Sequence, residues 1–297
     1  MSGLGEKLSD WAAKAAGKEP YITLGELFGR YGLFRPFLNL CESWAKRHPP
    51  IRMVKKDDFF IISKGGFSLF WPQEYDPQSF VSVWKEVRKG HPHDYLQFYK
   101  PWEDDVVLDI GACEGFFGLR IIDTVHCMWM IEPVPRLSEA LKRTFSPWID
   151  RGKVLIETVA LSDREGESSF EIPLNCAVSG QLCASDSMQK SQEQISCFTV
   201  SMETLDGFVR RRGIERLDLV KMDVEGAEVS VLDGAGDTLR RLRPDLLVCA
   251  YHKTDDYETI RLRLEKYGYT VRHSRVVQIR GRDRPYYRYA LIFASCR

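Results

Sequence analysis

The sequence predicts an α/β fold: a doubly wound, mostly parallel sheet with an antiparallel last strand, preceded by an N-terminal α+β extension. Three observations lead there. From Val106 onward, apolar runs of strand length alternate with amphipathic helical segments, the pattern of a parallel sheet covered on both faces. The last two runs flank a turn-rich basic segment, so they are expected to pair antiparallel. The character of the chain also changes near residues 101–105, dividing its 297 residues into an extension, 1–104, and a main domain, 105–297.

Within the extension, residues 24–44 carry Leu, Phe and Trp at helical spacing. They are expected to pack against the domain, with peripheral membrane contact as the alternative. Residues 52–55, 59–63 and 67–71 read as short strands separated by the turn formers Asp57-Asp58 and Gly65-Gly66. Helices are expected over 77–89 and 93–100. In the main domain the strands are 106–110, 127–132, 154–159, 217–223 and 245–251, with 270–275 and 289–294 closing the chain. Residues 175–196 are rich in Ser and Gln and poor in large apolar side chains, which predicts a surface excursion. A lid over substrate is the sharper reading of that loop. Arginines alternate with Val, Ile and Tyr over 272–289, as in a half-exposed hairpin, and Arg210, Arg211 and Arg212 read as a solvated helix end.

Lys+Arg 42 balance Asp+Glu 42, so no global field gathers nucleic acid, and none is expected as a partner. The eight cysteines form no C-x-x-C pair and no zinc spacing; they read as reduced thiols in a reducing compartment. Charges in MSGLGEKLSDW and the lack of an apolar run of about 18 residues predict a cytoplasmic protein without a transmembrane segment. Nothing in the sequence specifies an oligomeric state.

The first strand of the main domain ends in VVLDIGACEGFFG. Gly111 and Gly115 permit tight turning and close backbone approach to a ligand, while Asp109 can accept hydrogen bonds or organise the loop amides. The second strand ends at Glu132-Pro133, 23 residues after Asp109, where a doubly wound, Rossmann-like fold sets an acid against ribose hydroxyls. Both features suit any nucleoside-bearing cofactor. A dinucleotide fingerprint, however, needs G-x-G-x-x-G to hold a pyrophosphate, and here Cys113 replaces the middle glycine and Glu114 adds a negative charge. S-adenosylmethionine has a sulfonium cation and no phosphate, so the acids favour it over NAD.

LDLVKMDVEGAEVSVLDGA, residues 217–235, repeats the strand, acid, turn and helix pattern. Asp223 ends the fourth strand beside the first, facing the crevice, while Glu225 and Glu228 sit at a helix start favoured by the macrodipole. With these motifs in order, the sequence resembles the FkbM family of methyltransferases, whose members carry VVDIGA-type and IKIDVEGAE-type motifs. IEPVPRLSEAL and VALSDREGESSF resemble the segments between them. The resemblance implies a class I methyltransferase fold, S-adenosylmethionine as cofactor, and O-methylation of sugars or natural products. By position it implies Asp109, Gly111, Ala112, Cys113 and Gly115 on the methionine side, Glu132 and Pro133 at the ribose, Thr158 and Ala160 near the adenine, and Asp223 beside the sulfonium. The family often has Asn where this chain has Cys113 and Thr158.

Methyl transfer needs an aligned nucleophile and removal of its proton. The fifth strand ends with Tyr251-His252-Lys253 at the same rim, making His252 the first choice of base and Asp223 the second. Glu225 stands beside them. No metal is expected, although Asp223, Glu225 and His252 together could ligate a divalent cation that binds a vicinal diol. A D-P-P-Y type motif is absent after the fourth strand, which disfavours nucleobase nitrogens. The expected partner is a small-molecule acceptor, a sugar or natural product. N-methylation of a small molecule or protein, and a non-catalytic cofactor- or NAD-binding protein, are the alternatives.

Overall fold

A computed structural model describes residues 51–64, 66–77, 83, 89–173, 181–182, 195–279 and 286–296. Among the described residues, three antiparallel strands come first: β1 (Arg52–Lys56), β2 (Phe59–Lys64) and β3 (Phe67–Pro72). The main domain then runs β4 (Val106–Ile110), α1 (Phe116–Ile121), β5 (Cys127–Ile131), α2 (Pro135–Thr144), α3 (Ser146–Ile149), β6 (Val154–Glu157), β7 (Ala160–Ser162), β8 (Gly166–Pro173), β9 (Gln181–Leu182) and β10 (Ile195–Thr204). It continues through α4 (Leu205–Arg212), β11 (Leu219–Met222), α5 (Glu228–Asp233), α6 (Gly236–Arg241), β12 (Asp245–Cys249), α7 (Asp256–Lys266), β13 (Thr270–His273), β14 (Val276–Ile279), β15 (Tyr286–Tyr289) and β16 (Leu291–Ser295).

Seven strands form the central sheet in the order β13-β16-β12-β11-β4-β5-β6, and only the pairs made by β16 are antiparallel. This is the class I methyltransferase arrangement. Its order reverses between β4 and β11, and the loops leaving their carboxyl ends bound a crevice where such folds bind ligands. Every residue of β11 and β12 is buried, so these strands read as unbroken apolar runs apart from Lys221 and Asp245. In the parallel register Lys221 lies directly across from Asp109, which places both side chains on one face.

Helix ends follow local chemistry. Pro135 opens α2, where a missing N–H does no harm. Thr204 caps α4 by accepting from the Gly207 amide, and left-handed Gly213 closes it.

The small N-terminal sheet packs on α2. Phe70 N donates to Thr144 Oγ1 at 2.9 Å, and the Arg136 and Arg143 guanidinium groups lie 4.6 and 4.3 Å from the centre of the buried Phe59 ring.

Several local expectations change. Residues 93–100 form no α-helix, only a 3-10 turn at Tyr95–Gln97, bracketed by Pro92 and Pro101 and capped when Asp94 accepts from the Leu96 amide. A second sheet, β7-β10-β8-β9, uses a ten-residue strand, β10, that the sequence reading omitted. Its alternation of Phe198, Val200 and Met202 with small polar residues was masked by the polar run before it. The strands expected at the end of the chain do pair antiparallel, as β13 and β16, and the basic segment between them adds the β14–β15 pair. Arg211 and Arg212 are not simply solvated: they pair with Glu203 and Glu157 at the ends of β10 and β6.

The helical expectation for 24–44, all but three residues of 77–89, and most of the 175–196 excursion lie outside the described residues. Among the described residues no helix is long and apolar enough to cross a membrane. Cys113, Cys127, Cys197, Cys249 and Cys296 are free thiols.

Candidate functional site

The loop after β4 hangs on the end of β5: the Gly111 and Ala112 amides both donate to Ile131 O at 3.0 Å. Gly111 is left-handed, with φ +76°, and a Cβ there would meet the Asp223 carbonyl oxygen at 1.9 Å. Only glycine fits between the two strand ends. Glu132 then ties the loop to β5, with Oε2 accepting from the Cys113 amide and Oε1 from the Val134 amide, each at 2.9 Å. Burial outweighs these two donors and pushes the Glu132 carboxyl up to about 7. Glu114 is likewise pushed up to about 7 by burial.

Beneath the loop, Asp109 is 0% exposed and forms a 3.0 Å ion pair with Lys221, itself 4% exposed. Lys221 Nζ also donates to Gly111 O at 2.7 Å. Burial opposes the Lys221 charge, but Asp109 and Asp223 outweigh it and keep the ammonium protonated. The Asp109 carboxyl is pushed up, because its burial exceeds what Lys221 returns.

A crevice of about 580 Å³, part of it open to solvent, runs along these strand ends. Gly111, Cys113, Glu132, Pro133, Ala160, Asp223 and Glu225 line it, with an apolar wall from Ile131, Val134, Leu137, Val159, Leu161 and Phe170. Four residues expected at the cofactor do not line it. Asp109 and Ala112 are buried under the loop, and Gly115 packs where a Cβ would come within 2.6 Å of the Phe145 ring. Thr158 is exposed, with its hydroxyl 2.6 Å from Ser138 Oγ.

At one end of the crevice the acids converge. His252 Nε2 lies 3.5 Å from both Asp223 Oδ1 and Glu225 Oε1, and its Nδ1 lies 2.9 Å from Glu228 Oε1. Glu228 is completely buried and also accepts from the Val224 amide. Burial alone would push the His252 ring down; Glu225 and Glu228 outweigh it and push it up to about 11. Among these carboxylates the ring favours its protonated form, which counts against it as the base.

Asp223 Oδ2 accepts from Tyr95 OH at 2.7 Å. Burial opposes the Asp223 charge, but Lys221 and His252, helped by the Tyr95 hydroxyl, outweigh it and hold the carboxyl well below the usual range. His93, in contrast, is pushed down to about 4 by burial and stays neutral, with Nε2 3.3 Å from Cys249 Sγ.

A family model described as the methyltransferase FkbM domain matches residues 109–271, more than half of the chain. The chain belongs to the FkbM methyltransferase family. This makes the domain an S-adenosylmethionine-dependent methyltransferase domain, as its motifs implied. The 2-O-methyltransferase NoeI of Sinorhizobium fredii (strain NBRC 101917 / NGR234) is 31% identical over 154 residues, which are 47% of this chain and 61% of that protein. The chain thus matches less than two thirds of the length of this relative.

Two solved structures are also similar. The methyltransferase FkbM from Methylobacillus flagellatus KT superposes with a TM-score of 0.47 and 14% identity, over 73% of this chain and 58% of that one. The precorrin-6y C5,15-methyltransferase from Geobacter metallireducens GS-15 gives 0.42 and 14%, over 70% and 90%.

Four residues around Asp223 escaped the sequence reading or were undervalued. Lys221 had a signal, a lone cation inside a strand that is otherwise apolar. Glu228 looked like a macrodipole residue, yet it anchors His252. Tyr95 and His93 come from a segment expected as a helix and found as a 3-10 turn, so only the tertiary fold brings them to the site.

Proposed function

We propose that this chain transfers the methyl group of S-adenosylmethionine to a hydroxyl of a sugar-like small molecule. The observation that carries the reading is the shared crevice: Glu132, suited to a ribose, and Asp223, suited to an acceptor hydroxyl, line one apolar-walled space. The likeness to a protein named as a 2-O-methyltransferase supports oxygen as the methylated atom.

The bound cofactor supplies an electrophilic methyl carbon on a sulfonium. Glu132 would accept hydrogen bonds from both ribose hydroxyls, and Val159, Ala160 and Leu161 would flank the adenine. We assign Asp223 to the acceptor. Asp223 would accept a hydrogen bond from the acceptor hydroxyl and take up its proton as the carbon–sulfur bond is exchanged for an oxygen–carbon bond, the products being a methyl ether and S-adenosylhomocysteine. Tyr95 fixes the rotamer of Asp223, and His252 lies between Glu225 and Glu228.

The test is a panel of sugars and other hydroxylated metabolites, incubated with the chain and S-adenosylmethionine, with S-adenosylhomocysteine release as the readout. At least one sugar-like acceptor should give turnover, and Asp223→Asn should lower it by about 100-fold or more while cofactor still binds. Binding of S-adenosylhomocysteine without turnover on any hydroxylated acceptor would overturn the acceptor assignment. Calorimetric binding of NAD in its place would overturn the cofactor assignment.

A further inference from the structure

Among the described residues, three groups of acidic, histidine and cysteine side chains have ligand atoms within 4.8 Å of one another. Two are already committed. In the group of Glu228, His252 and Asp256, Glu228 accepts from the Val224 amide and Asp256 from the Lys253 amide. In the group of His93, Asp223 and Cys249, His93 Nε2 already meets the Cys249 sulfur. The third, Asp223, Glu225 and His252, differs from both.

His252 is 8% exposed at its side chain, and its Nε2 makes no hydrogen bond to any described residue. That nitrogen points between two carboxylate oxygens at an equal 3.5 Å. Asp223 Oδ1, the nearer oxygen of its carboxylate, is buried and also lacks a hydrogen-bond donor. Two donors each about 2.2 Å from one ion stand roughly 3.1 to 3.6 Å apart, between octahedral and tetrahedral angles. The two spacings to His252 Nε2, each 3.5 Å, fall inside that window, and the two carboxylate oxygens lie within 4.8 Å of each other.

The partners behind the ring point the same way. Glu228 Oε1 lies 2.9 Å from Nδ1 but off the line of a hydrogen bond, so it supplies negative charge behind the ring. Tyr95 holds the other oxygen of Asp223, which leaves Oδ1 to face the cluster. Three carboxylates around one imidazole make a negative corner that a proton on the ring offsets only in part; a dication at Nε2 would displace that proton and offset more of it.

We propose that Asp223, Glu225 and His252 form a binding site for one divalent cation of the Mn²⁺ or Mg²⁺ class, with its remaining positions open to the crevice. Two oxygens with one nitrogen, and no thiolate, favour that class over softer ions. The site stands on this geometry alone; its use rests on the proposed function. There, an oxygen of a sugar-like acceptor adjacent to the methylated one would enter the ion's shell and hold the reacting hydroxyl against Asp223.

Mn²⁺ itself is the probe. Titrated into the full chain without cofactor or acceptor, about one Mn²⁺ per chain should leave the free-ion electron paramagnetic resonance signal, and the bound ion should show nitrogen coupling from an imidazole. Asp223→Asn and Glu225→Gln should each weaken binding roughly 100-fold, and Glu228→Gln about 10- to 100-fold, with thermal unfolding confirming folded variants. His252→Asn should remove the nitrogen coupling.

Failure of the wild-type chain to bind millimolar Mn²⁺, absence of nitrogen coupling, or unchanged affinity in the folded Asp223→Asn and Glu225→Gln variants overturns the site. Should those variants not fold, the wild-type coupling decides alone. A chain that binds Mn²⁺ in this way but methylates no hydroxyl keeps the site and loses the proposed function. Chelator-insensitive methylation by a chain that binds no Mn²⁺ does the reverse.

Discussion

Replacing Lys221 with methionine removes the cation from a pair that no solvent can reach while keeping most of the side-chain volume. At the 3.0 Å separation of Lys221 and Asp109, Coulomb attraction is about 5 to 6 kcal/mol at an effective dielectric of about 20. Both groups pay desolvation in the folded state, so the net worth of the pair is smaller than that. Breaking it, however, leaves Asp109 buried and unpaired, for which about 3 to 5 kcal/mol is expected.

The carboxyl can escape part of this by taking up a proton. Without Lys221 its folded pKa lies above the unfolded value, so stability is fully present below the unfolded pKa and lost as pH rises through the folded one. Urea unfolding followed by tryptophan fluorescence should therefore show a Lys221→Met deficit of about 3 to 5 kcal/mol near neutral pH that shrinks toward pH ~5. In the double variant with Asp109→Asn, much of the loss should disappear. A deficit below about 1 kcal/mol, or one independent of pH and of Asp109, would refute the buried-charge reasoning and leave only a packing change.

Glu132 should make cofactor affinity pH-dependent. Its carboxyl, raised to about 7, must ionise to accept from ribose hydroxyls, so S-adenosylhomocysteine affinity by calorimetry should rise through that range, and Glu132→Gln should bind weakly and lose the dependence. Gly111→Ala puts a Cβ 1.9 Å from the Asp223 carbonyl and should abolish cofactor binding or cost more than about 3 kcal/mol of stability. Gly152→Ala, also left-handed but in open space, should cost only about 1 to 2 kcal/mol by the same unfolding measurement. Tyr95→Phe removes an O–H donor from a carboxylate at 2.7 Å; turnover should fall about 10- to 100-fold, with S-adenosylhomocysteine affinity nearly unchanged.

The parallel core was legible because each buried strand is an apolar run, and the acids ending β4, β5 and β11 stand out against those runs. Glu132, Gly111 and Asp223 could be read that way, since strand order alone puts them on one rim. Gly115 could not. Its side faces Phe145 and Leu141, and that contact depends on where α2 crosses the sheet, not on the glycine-rich loop around it. The base assignment to His252 rested on its place at the end of the fifth strand. The carboxylates that surround the ring come from the turn after β11 and from α5, and their summed effect on its proton is a tertiary property. Tyr95 reaches Asp223 across 128 residues of sequence from a 3-10 turn that stands where a helix is expected.

Cys113 and Glu225 are both left-handed without being glycine, at φ 45° and 52°, and each lies in a loop that lines the crevice. Such conformations cost about 1 to 2 kcal/mol apiece, so something must hold each one. At Cys113 the holding contact is the backbone amide bonded to Glu132 Oε2. The position therefore demands a conformation rather than a thiol, and Asn, which tolerates that region best after Gly, should serve as well. At Glu225 the turn, completed by Gly226 at φ 96°, carries the carboxylate to His252, so the position demands the conformation and the charge together. Cys113→Asn should accordingly keep cofactor affinity and turnover within about twofold and raise stability by up to about 1 kcal/mol, whereas Glu225→Gly should relieve the same strain and still lose turnover. Equal tolerance at both positions would mean that the Glu225 carboxylate has no part in the chemistry.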